Sequence, residues 1–234
     1  MHYHNPFQTL SKFEWILWLL SVGLVGGAFF LGRSADILTL IASIIGVTAL
    51  IFVAKGHVLG QILIVLFSLL YGVISYTFRY YGEMITYLGM TAPIAVFAVI
   101  AWLRHPFESG KAEVEVSPLG RKKAIIMLVL AILVTGIFYF ILKYFRTANL
   151  AMSTVSIATS FMASYLTLYR SDYYALAYGA NDIVLIILWV LAAMEDPTYL
   201  PMVVCFLVFF ANDLYGFISW RRMKLRQMRR KASA

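Results

Sequence analysis

Two short motifs in this chain could do chemistry: Ala180-Asn181-Asp182 and Ala211-Asn212-Asp213. Each lies inside an apolar run, and each Asp is followed seven residues later by a tryptophan, Trp189 and Trp220. An aspartate at the centre of a membrane helix costs roughly 2.5–3.5 kcal/mol on insertion scales. Such residues persist where they face a protein interior or a wet cavity. Seven residues make nearly two helical turns, so each Asp shares a helix face with its tryptophan. A carboxylate, a neighbouring amide and an aromatic ring suit a polar molecule with a flat ring. Asn181 and Asn212 offer donors and acceptors, and Tyr178, Trp189 and Tyr215 offer surfaces for stacking or cation–π contact. The plainer reading is that these side chains bond helix to helix or cap nearby backbone.

The elements that must position them are membrane helices. Of 234 residues, 62% are hydrophobic and 13% charged, against roughly 45–50% and about 25% in soluble domains. The apolar residues fall in blocks at 15–31, 35–54, 57–78, 82–103, 124–145, 150–168, 173–194 and 199–219. Most reach the ~20 residues that a helix needs to cross ~30 Å of hydrocarbon. The pattern predicts eight transmembrane helices, with no soluble domain. The first block, preceded by Lys12 and followed by Gly32-Arg33-Ser34-Ala35, is laid out like a signal peptide. At about 17 residues it exceeds the usual core of such a peptide and is expected to be a retained helix.

Cys205 is the one cysteine, inside the last block, and reads as a small apolar residue. His2, His4, His57 and His105 have no ligand partners at metal-binding spacing, and no cofactor is expected. The net charge of +8 follows the loops rather than one face. With eight spans and a cytoplasmic C-terminus, one side holds fifteen basic residues, including Lys55, Lys111, Arg121, Lys122, Lys123, Arg170 and the tail. The other holds four: Arg33, Arg79, Lys143 and Arg146. The positive-inside rule therefore predicts cytoplasmic termini. Trp220 to Lys231 is expected to anchor the chain at lipid headgroups rather than to bind nucleic acid.

The long loop 104–123, with Pro106, Gly110, Pro118 and Gly120, splits the chain. The turn Lys55-Gly56-His57 and the turn Arg170-Ser171-Asp172 lie 115 residues apart, and Trp102 and Trp220 lie 118 apart. These spacings predict two parallel three-helix repeats, 35–103 and 150–220. Residues 104–149 supply the loop and a linking helix, 1–34 an extra N-terminal helix, and 221–234 a basic tail. Pro93 favours a kink in the fourth helix, and Gly46, Gly60, Gly72, Gly89 and Gly179 permit close packing. Asn181 and Asn212 sit about 12 Å and about 10 Å from the cytoplasmic side, at 1.5 Å per residue. Ser160 and Ser164 share a face of the sixth helix. The first half has a thinner polar set: Ser43, Thr48, Gln61, Ser68, Tyr71 and Thr91. The candidate binding residues are Asn181, Asp182, Tyr178, Trp189, Asn212, Ser160, Ser164 and Tyr71.

The run from Arg170-Ser171-Asp172-Tyr173-Tyr174 through Tyr178-Gly179-Ala180-Asn181-Asp182 resembles the PnuC family of nicotinamide riboside transporters. So do Asn212-Asp213-Leu214-Tyr215-Gly216-Phe217, Tyr81-Gly82-Glu83-Met84 and Ser160-Phe161-Met162-Ala163-Ser164. The family's Asn-Trp-x-x-Trp stretch opening the seventh helix is replaced here by Tyr173-Tyr174-Ala175-Leu176-Ala177-Tyr178. The resemblance implies a SWEET-like all-α membrane protein of the bacterial cytoplasmic membrane that takes up nicotinamide riboside, a vitamin B3 precursor. It implies facilitated diffusion, with trapping by a cytoplasmic nicotinamide riboside kinase, and a homo-oligomer such as a trimer. Another vitamin of the class, thiamine or riboflavin, is the alternative cargo. A membrane enzyme using Asp182 and Asp213 would need a metal-binding phosphate motif, or a nucleophile and base at usable spacing. Neither is present.

Overall fold

The computed structural model describes residues 5–31, 37–77, 80–108, 112–147 and 149–233. His2, His4, Gly32-Arg33-Ser34-Ala35, Arg79, Gly110 and Lys111 lie outside them. Eight helical spans among the described residues are long and apolar enough to cross a membrane, and the protein is a multi-pass membrane protein. They are α1 (Lys12–Leu31), α2 (Ile37–Ala54), α3 (Val58–Thr77), the pair α4 (Tyr81–Thr86) and α5 (Ala92–Arg104), α6 (Arg121–Tyr144), α7 (Leu150–Leu168), α8 (Tyr174–Glu195) and α9 (Leu200–Ala232). The described residues form no sheet, only two isolated bridges, His57 with Glu113 and Pro106 with Val114.

The fourth span is not a uniform α-helix. A π-turn, Tyr87–Thr91, joins α4 to α5 immediately before Pro93. Proline cannot donate and its ring crowds the carbonyl four residues back, so the wider turn relieves the clash the sequence foretells. The N-terminal helix α1 packs on α2 and α9. Glu14 accepts from Lys55 Nζ at 3.0 Å and from the Tyr215 hydroxyl at 2.7 Å, which ties the helix to the bundle. Tyr215 is therefore spent on Glu14 rather than offered to a cargo. Helix α6 lies outermost, with Ile125, Val129, Ile132, Leu133 and Phe140 exposed, as an apolar face toward lipid must be.

Two turns on the basic face share one geometry. At Gly56, φ +65°, the amides of Gly56 and His57 donate to the carbonyls of Val53 (2.8 Å) and Phe52 (2.9 Å). At Arg170, φ 56°, the amides of Arg170 and Ser171 donate to Thr167 (3.0 Å) and Leu166 (2.9 Å). Both are Schellman caps closing a helix, 114 residues apart. Two tryptophans cross between them. Trp102 Nε1 donates to the Thr167 carbonyl at 3.0 Å, and Trp220 Nε1 donates to the Val53 carbonyl at 2.8 Å. Their rings stand 5.4 Å apart. Trp220 is thus fully buried, not a headgroup anchor. Its indole is a second donor to the Val53 carbonyl, which the Gly56 amide already engages.

The tail and the long loop also depart from expectation. Helix α9 continues to Ala232, and its basic end grips the loop after α5. Arg226, Arg230 and Lys231 pair with Glu113, Glu108 and Glu115. Gln227 donates to the Val114 carbonyl and accepts from the Val116 amide. The loop in turn donates from Val114 N–H to the Gly56 carbonyl (2.9 Å) and from Ser117 N–H to the Arg170 carbonyl (3.0 Å). It is a strap across both turns, with Val114 fully buried. The opposite charges of loop and tail made this docking available, and it takes three basic groups away from lipid.

Candidate functional site

Helices α2, α3, α7, α8 and α9 and the π-turn enclose a cavity of about 40 Å³. From α8 come Tyr174, Tyr178, Asn181 and Asp182, and from α9 Phe206, Phe209 and Asp213. Helix α3 gives Gln61, Ile64, Phe67 and Ser68, the π-turn gives Tyr87 and Thr91, and α7 gives Ser160. Leu50 and Val53 of α2 complete the wall. A pocket for a small organic ligand spans roughly 300–1,000 Å³. A cavity of about 40 Å³ is therefore a closed one, and a nucleoside-sized cargo needs the helices to part.

The polar groups are held by neighbours. The Asn181 amide oxygen accepts from the hydroxyls of Thr159 and Ser160, both at 2.8 Å. Its amide nitrogen makes no hydrogen bond among the described residues and is the donor left for a ligand. Asp182 is buried, and its Oδ2 has no partner. Asp213, also buried, interacts directly with Asp182 across the α8–α9 seam. Leaving a buried carboxylate oxygen unmatched costs about 1–3 kcal/mol or more. That cost is recovered when a cation or a hydroxyl donor binds.

Aromatic rings close the cavity at both ends. Toward the basic face, Tyr174 lies 4.6 Å from the Trp220 ring, which meets Trp102. At the other end, Tyr71 lies 4.4 Å from Tyr87 and 5.5 Å from Phe67, and Phe67 meets Phe209 at 5.5 Å. Trp189 Nε1 donates to the Tyr71 hydroxyl at 3.1 Å, and its ring packs on Tyr80 and Tyr199.

Of the eight residues singled out in the sequence, Asn181, Asp182, Tyr178 and Ser160 line the cavity. Trp189 and Tyr71 stand behind its aromatic roof. Ser164 is buried outside the lining. Asn212 turns away: its Nδ2 donates to Ser21 Oγ of α1 (3.0 Å) and to the Val208 carbonyl (2.8 Å). Successive helical residues point about 100° apart, and on α9 it is Asp213 that faces inward. Glu83, also outside the lining, accepts from Ser156 Oγ at 3.1 Å. Phe67, Tyr87, Tyr174, Phe206 and Phe209 were not foreseen, because an aromatic in an apolar run reads as core. The 114-residue offset could have found one of them: Phe67 stands where Asn181 stands in the second half, and Ser68, already in the polar set, stands where Asp182 does.

Comparison with known proteins agrees with this fold. The nicotinamide riboside transporter PnuC of Neisseria mucosa is 25% identical over 222 residues, covering 93% of this chain and 84% of that protein. A solved structure titled as the crystal structure of the vitamin B3 transporter PnuC is similar with a TM-score of 0.81 at 23% identity, over 93% of this chain and 94% of that one. The family model described as nicotinamide mononucleotide transporter matches residues 36–222, which include all the lining residues of the cavity. With most of its length in that match, the chain belongs to the nicotinamide mononucleotide transporter family.

Proposed function

We propose that this protein is an uptake transporter for nicotinamide riboside, working by facilitated diffusion in the bacterial cytoplasmic membrane with both termini inside. The observation that carries this reading is the unpartnered Asp182 oxygen, buried among tyrosine rings beside the Asn181 amide. Nicotinamide riboside has a cationic ring, a carboxamide and ribose hydroxyls. Asp182 and Asp213 suit the cation, Tyr174, Tyr178 and Tyr87 suit its flat face, and Asn181 with Ser160 suits the amide and hydroxyls. The name of the Neisseria relative supports the same cargo.

The two triplets, 35–103 and 150–220, rock against each other about the cavity, with 104–149 linking them and 1–34 packed outside. The reciprocal tryptophan bonds to Val53 and Thr167 support such a two-fold relation. The strap and tryptophans form the inner gate, and the rings around Tyr71 the outer one. No ion gradient is needed if a cytoplasmic kinase phosphorylates the cargo and prevents its return. Assembly as a homo-oligomer through lipid-facing helices completes the proposal.

Counterflow of labelled nicotinamide riboside into liposomes holding the purified protein, without an ion gradient, tests it. Uptake competed by unlabelled nicotinamide riboside and not by thiamine or riboflavin is the expected result. Competition by thiamine, also a cationic ring, would move the cargo within the class. No uptake of any of them by folded protein would overturn the reading.

A further inference from the structure

A second cavity, of roughly 330 Å³, opens on the basic face and shares no lining residue with the transport cavity. Its walls are the strap (Glu115–Pro118), the second turn (Arg170) and the end of α9 (Lys224, Gln227, Met228 and Lys231). Lys231 pairs with Glu115, and Lys224 with the fully buried Asp172, which also holds Arg221 at 2.9 Å. Arg170 forms no ion pair and no side-chain hydrogen bond among the described residues, and its Nη1 is shut from solvent without an acceptor. Two carboxylates, Asp172 and Glu115, therefore face four cations, and the surplus is two positive charges.

Arg170 sits at φ 56°, a left-handed conformation that disfavours a side-chain-bearing residue. The matching turn uses Gly56, which is at home there. An arginine is held at a glycine's position, half-buried, with its fork unmatched. Burial lowers its pKa from the ordinary arginine value, against the nearby charge of Glu115, which favours the cation.

We propose that this cavity binds a phosphoryl-bearing anion through Arg170, Lys224 and Lys231, and that the bound anion cross-braces the strap, the second turn and the tail. A phosphate monoester carries nearly two negative charges, which matches the surplus, and a guanidinium grips two of its oxygens at once. The same chemistry is offered by a soluble phosphate ester and by an anionic lipid headgroup at the membrane surface.

The test follows the melting temperature of the full-length protein in an uncharged maltoside detergent. Sodium pyrophosphate is titrated against sodium chloride of equal ionic strength. In parallel, vesicles of phosphatidylcholine alone are compared with vesicles containing about one part in five of phosphatidylglycerol. A rise of about 5 °C at a hundredfold excess of pyrophosphate over Kd, lost in Arg170→Gln, supports a site for a soluble ester. A rise confined to the phosphatidylglycerol vesicles, and lost in the same variant, supports a headgroup site. Arg170→Gly repeats both arms should the glutamine variant fold poorly, because glycine relieves the strained φ while removing the guanidinium. No rise in either arm, or an equal rise in wild type and variants, overturns the proposal.

Discussion

Helices α3 and α8 occupy matching places 114 residues apart, and they face the cavity with different chemistry. Where α8 presents Tyr178, Asn181 and Asp182, α3 presents Ile64, Phe67 and Ser68. The turns that precede the two helices have the same hydrogen bonds, so the scaffold is shared while the function is not. In the proposed transport cycle, a two-fold frame supplies motion about a central cavity. A cargo that is not itself two-fold needs only one wall to recognise its polar end, leaving the other to pack its ring. The difference teaches that the frame and the recognition are separable.

The largest expected effect comes from erasing that difference. Asp182→Asn keeps the shape and removes the carboxyl group, and is expected to lower counterflow of the cationic cargo by ten- to about a hundredfold. This is the ~1.5–3 kcal/mol that a hydrogen bond to a charged group contributes. Ser68→Ala, its counterpart on α3, is expected to change counterflow by less than about threefold, as befits a neutral hydroxyl. Equal losses in the two variants would mean that both walls recognise the cargo.

Next comes the contrast between the two Asn-Asp motifs. Asn181→Ala takes the side-chain acceptor from the Ser160 hydroxyl and removes a donor, while the Thr159 hydroxyl keeps the Ser156 carbonyl. The substitution is expected to cut uptake about tenfold at normal membrane levels. Asn212→Ala breaks the bond to Ser21 of α1 and is expected to lower the melting temperature by about 2–4 °C while uptake stays within about twofold. If Asn212→Ala stops uptake in stable protein, α1 takes part in transport and the two motifs have the same work.

Smaller still are the effects at the paired tryptophans. Trp102→Phe and Trp220→Phe each remove one cross-turn hydrogen bond, at about 1 kcal/mol. The two-fold relation predicts similar losses of stability from both, measured by thermal melting. A loss from Trp220→Phe several times that from Trp102→Phe would show that the strap and tail, rather than the symmetric pair, hold the basic face shut.

Most of the fold was legible because membrane helices announce themselves. A span needs about 20 apolar residues, and each of the eight blocks has a helix whose ends fall within a few residues of the expected ones, the last excepted. The tail was misread because a basic stretch after a span looks the same whether it meets lipid or an acidic loop. Only the fold brings Glu113 and Glu115 to Arg226 and Lys231. At the cavity, Asn181 and Asp182 were legible because polarity in an apolar run is costly and visible. Asn212 and Asp213 could not be told apart, since which of two adjacent residues faces inward depends on how α9 rolls against α1. The aromatic walls gave no signal, because Phe206 or Tyr87 would be equally at home in any core.

The finest contrast lies in how the two turns cap the helices after them. The Leu59 amide donates to His57 Nδ1 at 3.1 Å, and the Tyr173 amide donates to Ser171 Oγ at 3.3 Å, in the same relative positions. One acceptor titrates and the other does not. Burial, aided by the Lys55 charge, lowers the His57 pKa below its ordinary value of 6.5. The folded chain thus holds the ring neutral at a pH where the unfolded chain already binds a proton. The cap is whole above about 6.5, and its contribution is lost as pH falls through the lowered value, because a protonated Nδ1 cannot accept. Amide exchange, corrected for its intrinsic pH dependence, is expected to speed up at Leu59 relative to Tyr173 between neutral pH and mild acid. His57→Ser should make the two turns respond alike. Parallel behaviour of both amides in the wild type would mean that the strap bond from Val114 to Gly56, and not the histidine, holds the first turn.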